Sequence, residues 1–273
     1  MTNAPCRAWG ISNRLKPVNG PLNRPVRIME TRVQLQPAYM LHRRPFQNTS
    51  LLVDFFCLDY GMVRAVAKGA RREKSKYRAL LQLFQPLLVS FSGRGEVKTV
   101  TGVESGLSAI KLNGDRLFSG MYVNELLARL LHNYVEHTAL YQYYQESLIA
   151  LQGEAEVQTV LRRFELKLLV ELGYGINLHT DCHSHEPIDG GASYRFTPDI
   201  GFELAAASAS VAEVATNSGS TNLFAGAHLI ALRELDLADE AIAKSAKRLL
   251  RIALGTHLGD KPLNSRSLFI GKS

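Results

Sequence analysis

The sequence predicts an α+β chain: a small β-barrel, then a mostly helical module that a polar insertion interrupts. Three observations predict it. Between residues 32 and 105, β-branched and aromatic residues recur in short runs separated by turn residues. From Asn113 onward, apolar residues recur at the three- and four-residue spacing of helices. Within the first pattern, the stretch GMVRAVAKGARREKSKYRALLQLFQPLL starts as a strand and breaks at Gly69 into a basic run before turning apolar again. That run carries Lys68, Arg71, Arg72, Lys74, Lys76 and Arg78, opposed by Glu73 alone. Like charges so clustered repel one another unless a polyanion neutralises them.

The chain has 273 residues and is 46% apolar, so it can bury a core, and global disorder is excluded. Its formal charge of +7 is unevenly spread. Residues 62–98 hold nine Lys/Arg against two acids, and residues 1–32 hold six against one. Residues 33–61 balance at two against two, and residues 99–273 hold fifteen against twenty. A basic excess confined to the N-terminal part points to a polyanionic partner on one module. Three distant cysteines, Cys6, Cys57 and Cys182, argue against a disulfide framework and for a reducing compartment. No apolar run approaches the roughly 20 residues that span a bilayer, and the N-terminus shows no signal-peptide stretch. A soluble, cytoplasmic protein without membrane partners is expected.

Taken in order, residues 1–28 are rich in Pro, Gly and Asn and read as a disordered basic tail, with Met29 an alternative start. Residues 29–108 read as the barrel. Its strands are expected at Arg32–His42, Asn48–Leu58, Met62–Lys68, Pro86–Ser92 and Glu96–Glu104, with a turn at Asp59-Tyr60-Gly61 and a short helix within Lys76–Phe84. An OB-fold, interrupted between strands three and four, fits that count. Phe55 and Phe56 are adjacent and must face opposite sides of the sheet; one of them could stack on a base, but each taken singly reads as core. Residues 109–273 read as a helical bundle. Helices are expected from Asp115, from Thr138, over about Glu154–Leu172 with Gly173 ending the last, and again at Asn222–Leu235 and Ala238–His257. The irregular insertion at about 177–221 contains a hairpin of Tyr194–Thr197 with Phe202–Leu204 and an Ala/Ser/Asn-rich stretch expected to be mobile.

Chemical motifs are sparse. His179, Cys182, His183 and His185 are the densest set of potential ligands, but three or four ligands on one short loop rarely close a tetrahedral zinc site, so no metal is expected. GxxxxGK[ST], HExxH and GxSxG are absent, and the acids form no metal-binding carboxylate motif. No enzymatic activity is expected. A nuclease with scattered carboxylates, or an adaptor that binds only protein, are the alternatives. Arg162 and Arg163 on the third helix, and the stripe Lys244, Lys247, Arg248 and Arg251 on the last, read either as solvated helix faces or as a dock for an acidic peptide.

Five segments, YMLHRRPFQNTSLLVDFF, GMVRAVAKGARREKSKYRALLQLFQPLLVSFSGRGEVKT, SGMYVNELLARLL, LRRFELKLLVELGYG and GDKPLNSRSLF, resemble in order and spacing the RecO family of bacterial recombination mediators. The resemblance runs from residue 29 to about residue 269. It implies an N-terminal OB-fold, a helical domain and a zinc-finger-like insertion. It further implies binding of single- and double-stranded DNA, annealing of complementary strands, and work with RecR to load RecA onto DNA coated by single-stranded DNA-binding protein (SSB). No cofactor or hydrolysis is implied, and the setting is the nucleoid. Many members carry four cysteines in the insertion. This chain keeps only Cys182, so it resembles a branch whose insertion lacks the zinc ligands. On this reading Lys68, Arg71, Arg72, Lys74, Lys76, Arg78, Arg94 and Lys98 hold DNA phosphates. Arg162, Arg163, Lys244, Lys247, Arg248 and Arg251 hold the acidic C-terminal tail of SSB.

Overall fold

The computed structural model describes residues 32–205 and 222–265. The expected tail at 1–28 and nearly all of the Ala/Ser/Asn-rich stretch lie outside the described residues. Strands β1 (Arg32–Phe46), β2 (Ser50–Cys57), β3 (Gly61–Ala67), β4 (Pro86–Ser92) and β5 (Lys98–Ser105) close into a barrel in the order β1-β2-β3-β5-β4. The β3–β5 contact is parallel, Ala65 beside Lys98 and Val66 beside Thr99, and the other four are antiparallel. With the short helix α1 (Tyr77–Leu80) in the β3–β4 connection, this is the OB-fold arrangement that the strand count predicts.

β1 is long because its first half pairs with β4 and its second with β2. A bulge between Met40 and His42 inserts one residue and reverses which side chains face inward. Before the bulge, Ala38 and Met40 lie opposite Cys57 and Phe55; after it, Arg43 and Pro45 lie opposite Val53 and Leu51. Those four β2 residues all belong to the barrel core, so the bulge turns Arg43 and Pro45 toward the barrel mouth. The carbonyl of Leu41, inside the bulge, accepts from Asn124 Nδ2 at 3.2 Å, and Asn124 Oδ1 accepts from the Tyr144 hydroxyl at 2.7 Å. A buried polar relay thus ties the barrel to the helices, with each buried polar group partnered.

The helices are α2 (Gly114–Leu130), α3 (Thr138–Gln152), α4 (Val157–Glu171), α5 (Gly226–Glu234) and α6 (Glu240–Leu258). Asp239 caps α6 by accepting from the N–H groups of Ala241 and Ile242, and Gly173 follows the end of α4 at φ +86°. α2 stops earlier than its apolar pattern predicts. Leu131–Val135 leave the helix, and Tyr134 N–H donates to the carbonyl of Met62 at 3.0 Å. Gly61, at φ +58°, faces this segment so closely that a Cβ would lie 1.8 Å from the Val135 carbonyl oxygen.

Phe55 points into the barrel and Phe56 out of it, and both are fully buried. Phe56 and Tyr39 pack against Tyr141 and Tyr144 of α3, with ring centroids 5.1–6.0 Å apart. The helices cover the outer face on which Phe56 would have stacked a base, so neither phenylalanine is an open platform. The insertion folds as a three-stranded sheet, β6 (Ser193–Thr197), β7 (Gly201–Leu204) and β8 (Leu223–Ala225), in the order β7-β6-β8. β6 and β7 form the expected hairpin. β8 occupies the start of an expected helix, because burying Leu223 and Phe224 beside Phe196 and Phe202 requires pairing with β6.

Candidate nucleic-acid interface

The basic run leaves the end of β3 as a chain of tight turns. The N–H groups of Arg72, Ser75 and Arg78 donate to the carbonyls of Gly69, Arg72 and Ser75 at 3.0–3.1 Å. Gly69 adopts φ +68°, and Ala70, 2% exposed, plugs the barrel end. Arg71 N–H donates to Thr49 O at 2.8 Å, so the loop is pinned to the β1–β2 turn. These bonds hold the charged side chains outward. Lys68, Arg71, Arg72, Lys74, Lys76 and Arg78 are all exposed, and among the described residues none forms an ion pair.

Two further cations, Arg43 and Arg44, are exposed at the end of β1, and Arg43 lines the same cleft as Arg71 and Arg78. Charge counting passes over both, since two acids balance them within their segment; the signal in the sequence is the run His42-Arg43-Arg44 directly after the apolar stretch Ala38–Leu41.

Other expected contacts fall elsewhere. Lys98 is 4% exposed, donates to Gly93 O at 2.8 Å and lies 5.1 Å from the Tyr134 ring centroid. It shares the inward face of β5 with Val100, so it ties down a turn and does not reach a phosphate. Arg94 is exposed in that turn, which precedes β5 and is bonded through Glu96 O to the Tyr134 hydroxyl. Arg94 does not line the cleft that Arg43, Arg71 and Arg78 share. Arg64, midway along β3, is engaged by Asp54 at 2.6 Å, and that bond holds its guanidinium above the ordinary value.

On the helices, Arg162 is 4% exposed and its Nη1 lies 2.9 Å from Glu165 Oε2, whereas Arg163 is exposed. An Arg so enclosed cannot meet an incoming peptide. Arg248 donates to Leu223 O and lies 4.4 Å over the Phe224 ring, fastening α6 to the insertion. Burial, and then Arg251, pull its guanidinium below the ordinary value. Lys244 pairs with Glu240 at 2.8 Å, and Lys247 and Arg251 are exposed. Of the six expected tail contacts, Arg163, Lys247 and Arg251 are exposed without an ion pair among the described residues.

In the insertion, Asp181 organises the turn. Its carboxylate accepts from the N–H groups of Ser184 (2.9 Å), His183 (2.8 Å) and Leu204 (2.6 Å), and these bonds, Ser184's foremost, outweigh burial and hold its pKa below the ordinary value. Hydrogen bonds thus shape the turn that carries Cys182, His183 and His185. Among the described residues, no group of three or more His, Cys, Asp or Glu side chains is placed to hold a metal ion. No described helix is long and apolar enough to cross a membrane.

The chain is similar to known proteins along almost all of the described fold. Residues 29–106 match the family described as Recombination protein O N terminal, and residues 112–267 match Recombination protein O C terminal. A relative in Haemophilus influenzae (strain 86-028NP), DNA repair protein RecO, is 41% identical over 236 residues, covering 86% of this chain and 95% of its own. Its namesake in Psychromonas ingrahamii is 40% identical over 240 residues, covering 88% and 99%. That of Klebsiella pneumoniae (strain 342) is 43% identical over 235 residues, covering 86% and 91%. With both family regions matched in order and the barrel and helices in place, this chain belongs to the RecO family.

Proposed function

We propose that this protein is a non-enzymatic mediator of recombinational DNA repair. It binds single- and double-stranded DNA through the loop cations Lys68 to Arg78 together with Arg43 and Arg44. It anneals complementary strands, and acts with RecR and SSB to load RecA on SSB-coated DNA. The observation that carries the reading is a row of exposed loop cations without ion-pair partners among the described residues. Such a row neutralises phosphates and releases counterions, which gives affinity with little sequence preference and a steep salt dependence. Bringing two strands to one neutralising surface reduces their mutual repulsion and favours pairing. Arg163, Lys247 and Arg251 are the cations proposed for the acidic tail of SSB. The proposed place of action is the cytoplasm, on nucleoid DNA.

Reversing Arg72, Lys74 and Lys76 to Glu tests the DNA reading. For single strands each lost phosphate contact should flatten the slope of log K against log salt by about 0.7, so three lost contacts flatten it by about 2. Retention of labelled oligonucleotide at low salt should disappear while the circular dichroism spectrum is unchanged. Wild-type affinity in the triple variant would remove the loop as the DNA surface.

A further inference from the structure

The basic loop and β1 enclose a cleft of about 430 Å3 lined by Arg43, Pro45, Leu51, Ala70, Arg71 and Arg78. Three of the six are arginines and none is acidic. The floor is apolar, since Leu51 and Ala70 belong to the barrel core. Two guanidiniums are held in place by main-chain carbonyls: Arg43 Nη1 donates to Leu81 O, and Arg71 Nη1 lies 3.4 Å from both Gln47 O and Asn48 O. These bonds use few of the five N–H groups of each guanidinium and leave the remaining donors oriented. Arg78 makes no side-chain ion pair among the described residues.

Guanidiniums gathered without a carboxylate repel one another, and a tetrahedral oxyanion both neutralises and bridges their planar forks. An apolar floor beside the charges suits an attached sugar better than a bare ion. We propose that this barrel mouth seats the phosphate group of one nucleotide, with its sugar against Pro45, Leu51 and Ala70. The proposal rests on the DNA-binding reading and deepens it. Lys68, Lys74 and Lys76 supply diffuse counter-charge, while the cleft fixes one phosphate and so sets the position of the strand.

Titration of the full-length protein with thymidine 5′-monophosphate, followed by calorimetry, tests the seat, with thymidine and inorganic phosphate as companions. Saturation at one site is expected, with no binding of thymidine and weaker binding of phosphate alone. Losing one charged hydrogen-bond donor corresponds to a loss of about tenfold, so Arg78→Gln should weaken the mononucleotide by that factor and Lys74→Gln by less than about twofold. Arg43→Lys keeps the charge, loses the fork and should also weaken binding. A titration that never saturates, or equal losses in Arg78→Gln and Lys74→Gln, overturns the seat. Oligothymidylates with a 5′-phosphate or a 5′-hydroxyl then identify the source. Preference for the phosphorylated end assigns a strand terminus, and equal affinity with an Arg78→Gln loss in both assigns an internal phosphate; each supports the seat. If the triple reversal of Arg72, Lys74 and Lys76 abolishes oligonucleotide binding while the mononucleotide titration of the wild type is flat, the DNA reading stands and the seat falls.

Discussion

Arg162 and Arg163 are neighbours in the chain with opposite surroundings. Arg162 faces Glu165 one turn on, and the other oxygen of Glu165 accepts from the Tyr122 hydroxyl at 2.6 Å. Removing one member of a buried pair leaves the other charged in a poor solvent, at a cost of about 3–5 kcal/mol. Arg162→Ala should therefore lower the urea midpoint strongly, whereas Arg163→Ala should change stability by no more than about 0.5 kcal/mol. An Arg162→Ala variant that unfolds at the wild-type midpoint would contradict the pairing. For the proposed contact with the SSB tail, the informative variant is Arg163→Ala, because a loss of peptide binding there would not be confounded by the fold. The difference between the two was partly legible: an acid at i+3 from Arg162 on a helix is a sign of pairing. The fate of Lys98 was not, since composition and spacing place a lysine in a strand without saying which carbonyl it will reach.

At the scale of elements, strands β1 to β5 and most helices follow from their apolar runs and the turn residues between them; β2 and β3 are apolar at nearly every position because one face lines the barrel and the other packs under the helices. The exceptions are contacts with a distant partner. β8 exists through pairing with β6, and α2 ends where Tyr134 must reach Met62. The bulge at Leu41 is equally silent in sequence, yet it decides that Arg43 faces the barrel mouth. Another long-range tie anchors the segment after α6. Glu125 of α2 accepts from the N–H groups of Asn264 and Ser265, each at 2.8 Å. Burial alone would raise the Glu125 pKa, but the bonds from Ser265 and Asn264 together with Arg129 outweigh it and hold the carboxyl below its ordinary value. A folded pKa below the unfolded one means that the stabilisation is present above the unfolded value. It is lost as the pH falls through the lowered folded value. Hydrogen-exchange protection factors of Asn264 and Ser265 should thus be high at neutral pH and collapse below the carboxylate range. Glu125→Ala should abolish the protection at either pH, and unchanged protection in that variant would rule the clamp out.

The whole molecule is joined by its second core, which starts on the outer face of the barrel. Tyr39, Phe56 and Met62 sit in one buried cluster with Leu126, Tyr141, Tyr144 and Phe164 of the helices. The Leu41–Asn124–Tyr144 relay crosses the same boundary. A barrel resting on so much shared apolar surface cannot lose the helices without exposing its own outer face, so the two halves should melt as one unit. For function, this rigidity fixes the separation between cations proposed to hold DNA on the barrel and cations proposed to hold an acidic tail on the helices. Phe56→Ala removes a fully buried ring at the boundary and should cost about 3–5 kcal/mol. The loss should appear equally at both ends. In native-state hydrogen exchange under increasing urea, the most protected amides of β2 and β3 and those of α3 and α4 should converge on one opening free energy in the wild type, and on one lower value in the variant. Barrel amides that keep their protection after the helical amides have exchanged would show two independent units, and the rigid spacing between DNA and partner would go with them.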